Sequence, residues 1–334
     1  MKNNQLNIEN PTKSWKKQGR PKFTFVDLFA GIGGFRIAAE SLGGKCVFSS
    51  EWDKQSQATY WVNFGEIPQG DITKIDERII PDHNILFAGF PCQAFSISGK
   101  RGGFADTRGT LFFDVARIIK AKHPEMFLLE NVKNLVRHDE GRTLSIILQT
   151  LCDLGYDVHY QLLRASDFGV PQARERIYFV GFRNKKRFDF PKPLSKSKTK
   201  TVADILERGS VNAKVINREI LMSPDQTVID NRRPKQIGKF NKGGQGERVY
   251  SIDAAGITLS AYGGGVAGKT GAYLVDGIVR KLTVRECARM QGFPDDFLIP
   301  VSYNYALKQF GDSVSVPVLK LIMRNMLKAW QNAT

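Results

Sequence analysis

Cysteines, long apolar runs and acidic residues are all scarce in this sequence, and each scarcity narrows the class of protein that it can encode. Four cysteines stand far apart among 334 residues, at positions 46, 92, 152 and 287, and no two form a CxxC pair. A zinc knuckle and a disulfide framework are therefore excluded, and a reducing cytoplasm is the expected location. No apolar run approaches the roughly 20 residues that span a bilayer. Residues 1–22 also lack the apolar stretch of a secretory signal.

The shortage of acids leaves a strongly basic chain. Lysine and arginine total 49 against 33 aspartates and glutamates, which gives a net charge of +16 and a pI near 9.7. Such an excess predicts a polyanionic partner, most often nucleic acid and less often an anionic membrane surface. Hydrophobic residues at 42% and charged residues at 25% are typical of a soluble globular protein, which excludes wholesale disorder.

Basic residues concentrate in three segments. Residues 1–22 carry six basic side chains and one acid, Glu9, and are predicted to be a disordered arm. Residues 183–200 carry eight basic side chains with Asp189 as the sole acid, and are predicted to be a linker. A third group lies within residues 232–242.

Strands and helices alternate through residues 23–155, beginning with the buried strand FTFVDLF at 23–29. This pattern predicts an α/β fold with a doubly wound, mostly parallel sheet. Later strands at 156–165 and 176–183 are candidates for antiparallel pairing. We expect a first domain over 23–190, a smaller irregular domain over 191–283, a hinge over 284–304, and a C-terminal helix over 305–334 that returns to the first domain.

Ligands of such a sheet bind beyond the carboxyl ends of its strands. The first strand ends in a turn with Gly31, Gly33 and Gly34, which lets the backbone approach a ligand. Its spacing is not GxGxxG, so it does not indicate a dinucleotide pyrophosphate. Glu51 ends the second strand, where an acid commonly takes ribose hydroxyls, and Asp71 leads toward the third. These residues suit an adenosine cofactor without phosphates, although a purely structural turn explains the glycines equally well.

Two further strand ends carry reactive side chains. Cys92 follows the third strand and Glu130 ends the fourth, so a thiol and a carboxyl would meet in one cleft as a nucleophile and its acid or hydrogen-bond partner. The alternative is that Cys92 is a small apolar filler. Arg174 and Arg176 would share one face of a strand, although a solvated charge run is the commoner explanation of Arg-Glu-Arg.

Seven motifs together resemble one enzyme family. DLFAGIGGF, EWD, GDI, GFPCQAFS, ENV, QARERI and FGDSV occur in the order found in DNA cytosine-5 methyltransferases, from about residue 23 to the C-terminus. The segment GGQGERVYSIDAAGITLSAYGGG also resembles the target-recognition region of a bacterial member that reads GCGC. The resemblance implies a class I, Rossmann-like methyltransferase fold, with catalysis and cofactor binding in 23–190 and DNA target recognition in 191–283.

The resemblance also implies an S-adenosylmethionine site over the glycine turn. Phe29 would lie near the adenine and Trp52 would flank it, while Glu51 would bind the ribose and Asp71 the adenine amino group. The same site would include Ala30, Gly31, Gly33, Gly34, Ile72, Pro91, Leu111, Asp312, Ser313 and Val314. No metal is expected.

A covalent mechanism on cytosine follows from the same resemblance. Cys92 would attack carbon 6, Glu130 would hydrogen-bond ring N3, and Arg176 would contact O2 with support from Arg174. Because a stacked base is out of reach, the target must flip out of the duplex, which costs about a few kcal/mol.

DNA contacts are expected from two segments. The glycine-rich loop 96–109 could close over the DNA with Ser98 in the vacated space, unless it is an ordinary surface loop. In the second domain, Gln245 and Arg248 can read base edges, and Tyr262 flanks a glycine run that permits close approach. Without the resemblance, these glycines would indicate only a flexible loop. The expected target is GCGC.

Two features depart from or add to the family pattern. The closing motif has Asp312 where the family has Asn, and an ionised Asp can only accept hydrogen bonds, so an Asn variant is expected to bind cofactor differently. Gly19-Arg20-Pro21 matches the core of minor-groove AT-hook segments, against the simpler possibility of a solvated tail.

Three alternatives stay open. An RNA cytosine methyltransferase would share the chemistry but lack a domain that reads the DNA sequence. An inactive DNA-binding homologue would lack the Cys92, Glu130 and Arg176 set. An NAD dehydrogenase is disfavoured because the turn after the first strand lacks the GxGxxG spacing. The expected partner is duplex DNA, with neither membrane nor metal. We expect a monomer in a bacterial cytoplasm, associated with the nucleoid as the modification half of a restriction-modification system.

Overall fold

A computed structural model describes residues 13–17, 19–91, 111–209, 212–223, 230–244 and 246–332. The predicted site residues Cys92, Ser98 and Gln245 lie outside the described residues, as does the loop 96–109.

A six-stranded mixed sheet organises the first domain. Its strands are β1 (Phe23–Leu28), β2 (Gly44–Ser50), β3 (Ile85–Gly89), β4 (Met126–Val132), β5 (Asp157–Arg164) and β6 (Glu175–Phe182), in the spatial order β2-β1-β3-β4-β6-β5. The first four run parallel, β6 is antiparallel to β4, and β5 is antiparallel to β6. The predicted α/β fold with a mostly parallel sheet is therefore confirmed.

Helices cover both faces of this sheet. They are α1 (Gly34–Glu40), α2 (Lys54–Phe64), α3 (Leu111–Lys122) and α4 (Arg142–Asp153). Alternate residues of β1 enter opposite cores: Phe25 packs with α1 and α2 residues, whereas Val26 packs with α3 and α4 residues. Burial on both faces explains why β1 reads as a continuous apolar run rather than an alternating one.

The topology sets the position of a ligand cleft. Strand β2 lies on one side of β1 and β3 on the other, so the chain connections diverge at β1. In doubly wound sheets a crevice opens at this switch point, beyond the carboxyl ends of the strands. The glycine turn after β1 borders that crevice.

A second, smaller sheet forms the core of the second domain. It contains β7 (Leu221–Met222), β8 (Gln236–Lys239), β9 (Arg248–Ser251), β10 (Ala272–Val275) and β11 (Ile278–Arg280), in the order β11-β10-β9-β8-β7. A small apolar cluster that includes Phe240, Val249 and Ala272 fills it. Tyr250 and Tyr273 instead join the main core, which ties the two domains together.

The C-terminal region differs from its prediction in two ways. Instead of one helix over 305–334, the chain forms α6 (Tyr303–Asp312) and α7 (Val316–Gln331), because Ser313 is extended and Pro317 starts a new helix. The predicted hinge over 284–304 begins with a helix, α5 (Val284–Met290), whose Cys287 and Met290 are buried in the main core. Helix α7 packs on α1.

The basic arm is not disordered where the structure describes it, so the prediction for residues 1–22 is wrong for this part. Trp15 is 7% exposed and packs against the rings of Phe64 and Phe297. The Ser14 amide and hydroxyl both donate to the Asp296 carboxylate, at 2.8 and 2.9 Å. One buried aromatic ring therefore fixes the end of a segment whose charge suggested a solvated tail. The predicted linker is also anchored, since Phe188 is buried in the main core.

Candidate active site and cofactor cleft

The turn after β1 needs its glycines for conformation and for space. Phe29, Gly31 and Gly33 all have positive φ, at 56°, 54° and 88°. A Cβ at Gly33 would lie 2.3 Å from the Phe64 ring, and one at Gly34 would lie 2.5 Å from Val314. A Cβ at Gly31 would meet nothing within 4 Å. The turn is thus packed from behind and open at Gly31, which is the arrangement that admits a ligand against backbone.

Glu51 holds this turn to the end of β2. Its Oε2 accepts from the Gly31 amide and its Oε1 from the Asp53 amide, both at 2.8 Å. Burial raises the pKa of Glu51 above its ordinary value, and these amide donors oppose that rise. Next to it the Trp52 side chain is 75% exposed. A buried carboxylate beside an exposed indole is suited to holding a ribose and an adenine, respectively.

The remaining predicted cofactor residues surround the same strand ends. Asp71 accepts from the Thr73 amide and hydroxyl, at 3.1 and 2.8 Å, which fixes the GDI turn. Ala30 donates from its amide to the Ser50 carbonyl at 2.8 Å. Ile72 and Val314 are buried, Leu111 begins α3, and Pro91 is exposed at the last described position after β3.

Asp27 is a buried acid, electrostatically coupled to Glu51, that the sequence reasoning missed. It lies inside β1, is fully buried, and has its pKa raised to about 8 by burial, although the Arg36 guanidinium opposes the rise. The sequence did contain a signal for Asp27. A carboxylate within an otherwise apolar central strand is costly to bury, so its presence there indicates a specific role.

Glu130 and Arg176 form an ion pair at the end of β4. The antiparallel register places Val132 opposite Arg176, so the two strands carry these side chains to the same end of the sheet. Arg176 Nε lies 3.1 Å from Glu130 Oε1, and both side chains are largely buried, at 15% and 9% exposed. The predicted carboxyl and guanidinium therefore meet in one cleft.

Asn131, the middle residue of ENV, fixes the neighbouring strand end. Its Nδ2 donates to the Phe90 carbonyl at 2.9 Å, and its Oδ1 accepts from the Val132 amide at 2.7 Å. Because Phe90 precedes Pro91, this bond fixes the backbone leading to Cys92. The role was missed because an Asn side chain in a strand gives no sequence signal of its partner.

Arg174 has a different position from Arg176. Its Nη1 donates to the Gly311 carbonyl at 3.1 Å and its Nη2 to the Ser313 carbonyl at 2.5 Å. The side chain is 3% exposed, and burial lowers its pKa to about 10. These bonds attach the start of β6 to the break between α6 and α7, so Arg174 supports the site from behind.

Two buried glutamines extend this support, and sequence reasoning missed both. Gln172 donates to the Met290 carbonyl at 3.0 Å and to Gln291 Oε1 at 3.1 Å, and it accepts from the Leu259 amide at 3.0 Å. Gln291 in turn donates to the Phe310 carbonyl at 2.7 Å. The network joins the first domain, α5, the second domain and α6, so the cleft has a rigid wall.

Helix α6 also contacts the glycine-rich loop of the second domain. A Cβ at Gly311 would lie 2.2 Å from the Ala261 amide nitrogen, so the two backbones touch. Lys308 Nζ lies 3.1 Å from Asp312 Oδ2 and 6.0 Å from the centre of the exposed Tyr262 ring. Asp312, the departure from the family motif, thus has a cationic partner on its own helix.

The fold and cleft place the protein in a class before any relative is compared. A doubly wound sheet, a glycine turn, a buried carboxylate at the end of β2 and a carboxyl–guanidinium pair are the arrangement expected of a class I methyltransferase. Among solved structures the S. pombe Dnmt2 methyltransferase superimposes with a TM-score of 0.73 at 19% identity, covering 93% of this chain and 100% of that one. At this identity the likeness concerns the fold alone.

Sequence comparison then gives the family. The model of the C-5 cytosine-specific DNA methylase matches residues 23–328. The type II methyltransferase M.HhaI of Haemophilus parahaemolyticus is 53% identical over 308 residues, which cover 90% of this chain and 93% of that protein. M.SsoII of Shigella sonnei is 48% identical over 320 residues, covering 92% and 80%. The chain belongs to the C-5 cytosine-specific DNA methylase family, so the predicted family and enzyme class are confirmed.

Membership of this family implies the use of S-adenosylmethionine. Within the described ranges, His, Cys, Asp and Glu side chains form no group of three that could hold a metal ion. In the same ranges, the helices lack the combined length and hydropathy needed to cross a membrane.

Proposed function

We propose that the protein methylates carbon 5 of a cytosine within a short, specific duplex DNA sequence, with GCGC as the best candidate. It would form a Cys92 adduct at carbon 6 and serve as the modification half of a restriction-modification system. The observation that carries the chemistry is the Glu130–Arg176 pair at 3.1 Å, beside the strand end that leads to Cys92.

Carbon 5 of cytosine is a poor nucleophile. The side chains of Cys92, Glu130 and Arg176 would together make it reactive. The Cys92 thiolate adds to carbon 6, so a sulfur–carbon bond forms and the ring becomes an enamine that is nucleophilic at carbon 5. Negative charge develops toward N3 and O2. Glu130, in its protonated form, donates a hydrogen bond to N3 and Arg176 donates to O2, so both stabilise charge that is absent from the resting base.

The cycle closes when the carbon 5 proton leaves and the sulfur–carbon bond breaks, which restores the aromatic ring and the Cys92 thiolate. S-adenosylmethionine supplies the methyl group as an electrophile. Glu51, Trp52 and Asp71 would hold it, and the open space at Gly31 fits its close approach. The proton acceptor in the last step is unassigned, and a water molecule suits the role.

DNA reading is assigned to the second domain. Arg248 and Tyr262 are exposed, and the Arg248 Nε donates to the Gly243 carbonyl at 3.4 Å. Arginine can pair bidentately with guanine O6 and N7, and Gln245 would add a donor and an acceptor. Lysines of the basic chain would contact phosphates, which contributes attraction and position rather than specificity.

A covalent trap tests this mechanism. Wild-type protein, S-adenosylmethionine and duplex DNA with 5-fluorocytosine in the target should give a stable protein–DNA adduct, because fluorine cannot leave as a proton does. Cys92→Ser should give none. Cys152→Ser is the matched control, since Cys152 is exposed near the C-terminal end of α4, and it should trap as wild type does. Adduct formation by Cys92→Ser would refute the assignment.

Plasmid methylation followed by bisulfite sequencing tests the substrate and the site. The expected pattern is one methylated cytosine within each copy of a short sequence, GCGC in the first instance. A parallel reaction on tRNA separates the RNA alternative. Methyl transfer to tRNA but not to duplex DNA would overturn the proposal.

A further inference from the structure

Two glycine-rich segments of the second domain pack backbone against backbone. The Ala267 amide donates to the Gly246 carbonyl at 2.8 Å. A Cβ at Gly246 would lie 2.1 Å from the Gly264 carbonyl oxygen, and one at Gly265 would lie 2.8 Å from the Gly246 carbonyl oxygen. At Gly246, the turn 263–268 and the segment that leads to Arg248 meet through backbone atoms. The position of one therefore sets the position of the other.

Lys281 lies behind this turn. Its Nζ donates to the Gly268 carbonyl at 2.6 Å, and the residue is 8% exposed. Its own backbone is fixed because the Lys281 amide donates to the Lys214 carbonyl at 3.0 Å. Gly268 in turn donates to the Gly265 carbonyl at 3.1 Å, so a restraint on its carbonyl reaches the centre of the turn.

Packing alone does not explain a lysine at this position. Burying an ammonium group is unfavourable, and a methionine would fill similar space without that cost. Burial lowers the pKa of Lys281 below its ordinary value, and the positive charges of Lys214 and Lys269 add to this effect. A cation held in these surroundings and directed at one carbonyl indicates a task for that bond.

We infer that Lys281 is a positioning residue for DNA sequence reading, which holds the 263–268 turn and, through Gly246, the surface that carries Arg248 and Tyr262. The inference rests on the proposed function, in which this surface contacts base edges. A bidentate contact to a base discriminates only when its donors stand at the correct distance and angle. Loss of the Lys281 bond should therefore relax specificity more than it slows methylation of the correct site.

The test compares Lys281→Met with Lys214→Met in the full chain. Each change removes one positive charge, but Lys214 is exposed and its side chain is not the one bound to Gly268. Methyl transfer is measured on the site found by bisulfite sequencing and on duplexes with one base pair changed. Cofactor affinity and melting temperature are measured in parallel. We expect Lys281→Met to lower the ratio of correct to altered-site rates about ten-fold, the effect of one charged hydrogen bond, whereas Lys214→Met preserves that ratio.

Each other outcome has a definite meaning. A folded Lys281→Met protein with the wild-type ratio, or with an equal fall at every site, overturns the inference and leaves the proposed function intact. Wild-type protein that methylates no DNA site overturns both. If Lys281→Met does not fold, Lys281→Leu, which also removes both the donor and the charge, is measured on the same duplexes. A wild-type ratio from that variant overturns the inference.

Discussion

Arg174 offers the sharpest test of how the cleft is supported. Its guanidinium bridges the start of β6 and the break between α6 and α7 through the carbonyls of Gly311 and Ser313. Arg174→Met keeps most of the side-chain volume and removes both donors. If Arg174 supports the site, this change should reduce stability and cofactor affinity together, because Val314 of the same break packs on Gly34.

The size of the effect can be worked from the contacts. Each lost charge-assisted hydrogen bond, with its carbonyl left in the interior, costs about 1.5–3 kcal/mol. Part of this loss is offset, because burial already lowers the pKa of Arg174 to about 10 and so disfavours the charged group that the variant removes. We expect a net destabilisation of about 2–3 kcal/mol, and a urea midpoint lower by roughly 1 M.

Urea unfolding and calorimetric titration with S-adenosylmethionine measure the two effects. Arg164→Met is the matched control, since Arg164 makes a partly exposed ion pair with Glu175 at 3.1 Å and such pairs contribute about 0–1 kcal/mol. A loss below about 1 kcal/mol for Arg174→Met, or one equal to that of Arg164→Met, would refute the supporting role.

Three further predictions concern single positions. Gly311→Ala should lower the melting temperature by several degrees, through a backbone clash worth about 1–3 kcal/mol, whereas Gly70→Ala, with nothing within 4 Å of its Cβ, should not; equal melting temperatures would contradict the contact. Because the pKa of Asp27 is raised to about 8 from 3.8, the folded protein keeps a proton that the unfolded chain releases, so stability should fall as pH rises from about 4 to about 8. Asp27→Asn should flatten that fall in denaturant titrations at pH 5 and 8, and parallel curves would argue against a raised pKa. Asp312→Asn breaks an exposed pair with Lys308, so it should change stability by under about 1 kcal/mol while altering cofactor affinity; identical binding isotherms would make the position neutral.

Much of the fold follows from hydrophobic pattern. The first strand was predicted at 23–29 and lies at Phe23–Leu28, and the late strands pair antiparallel, as their position suggested. The break at Ser313 was missed because both flanking segments keep one apolar helical period, so the pattern continues across it. The burial of Trp15 was missed because the many basic residues around it indicated a solvated segment, and a single apolar residue did not change that interpretation.

The candidate site also has a part that could be predicted from the sequence and a part that could not. The resemblance, and not the strand-end argument, placed Arg176 beside Glu130. Arg176 lies at the amino end of β6, which antiparallel pairing brings to the carboxyl end of β4. The partners of Asn131, Arg174 and Gln172 are backbone carbonyls of segments remote in sequence. Every residue has a backbone carbonyl, so the pattern of side chains in the sequence could not predict these hydrogen bonds.

The docked arm has a practical consequence for how the protein is prepared. A version that starts at Phe23, where the family match begins, would lose Trp15 and leave the Phe64 and Phe297 rings facing water. Phe64 also packs behind Gly33 of the cofactor turn. Trimming what looks like a dispensable basic leader would therefore expose an apolar patch, favour aggregation during purification, and loosen a wall of the ligand cleft.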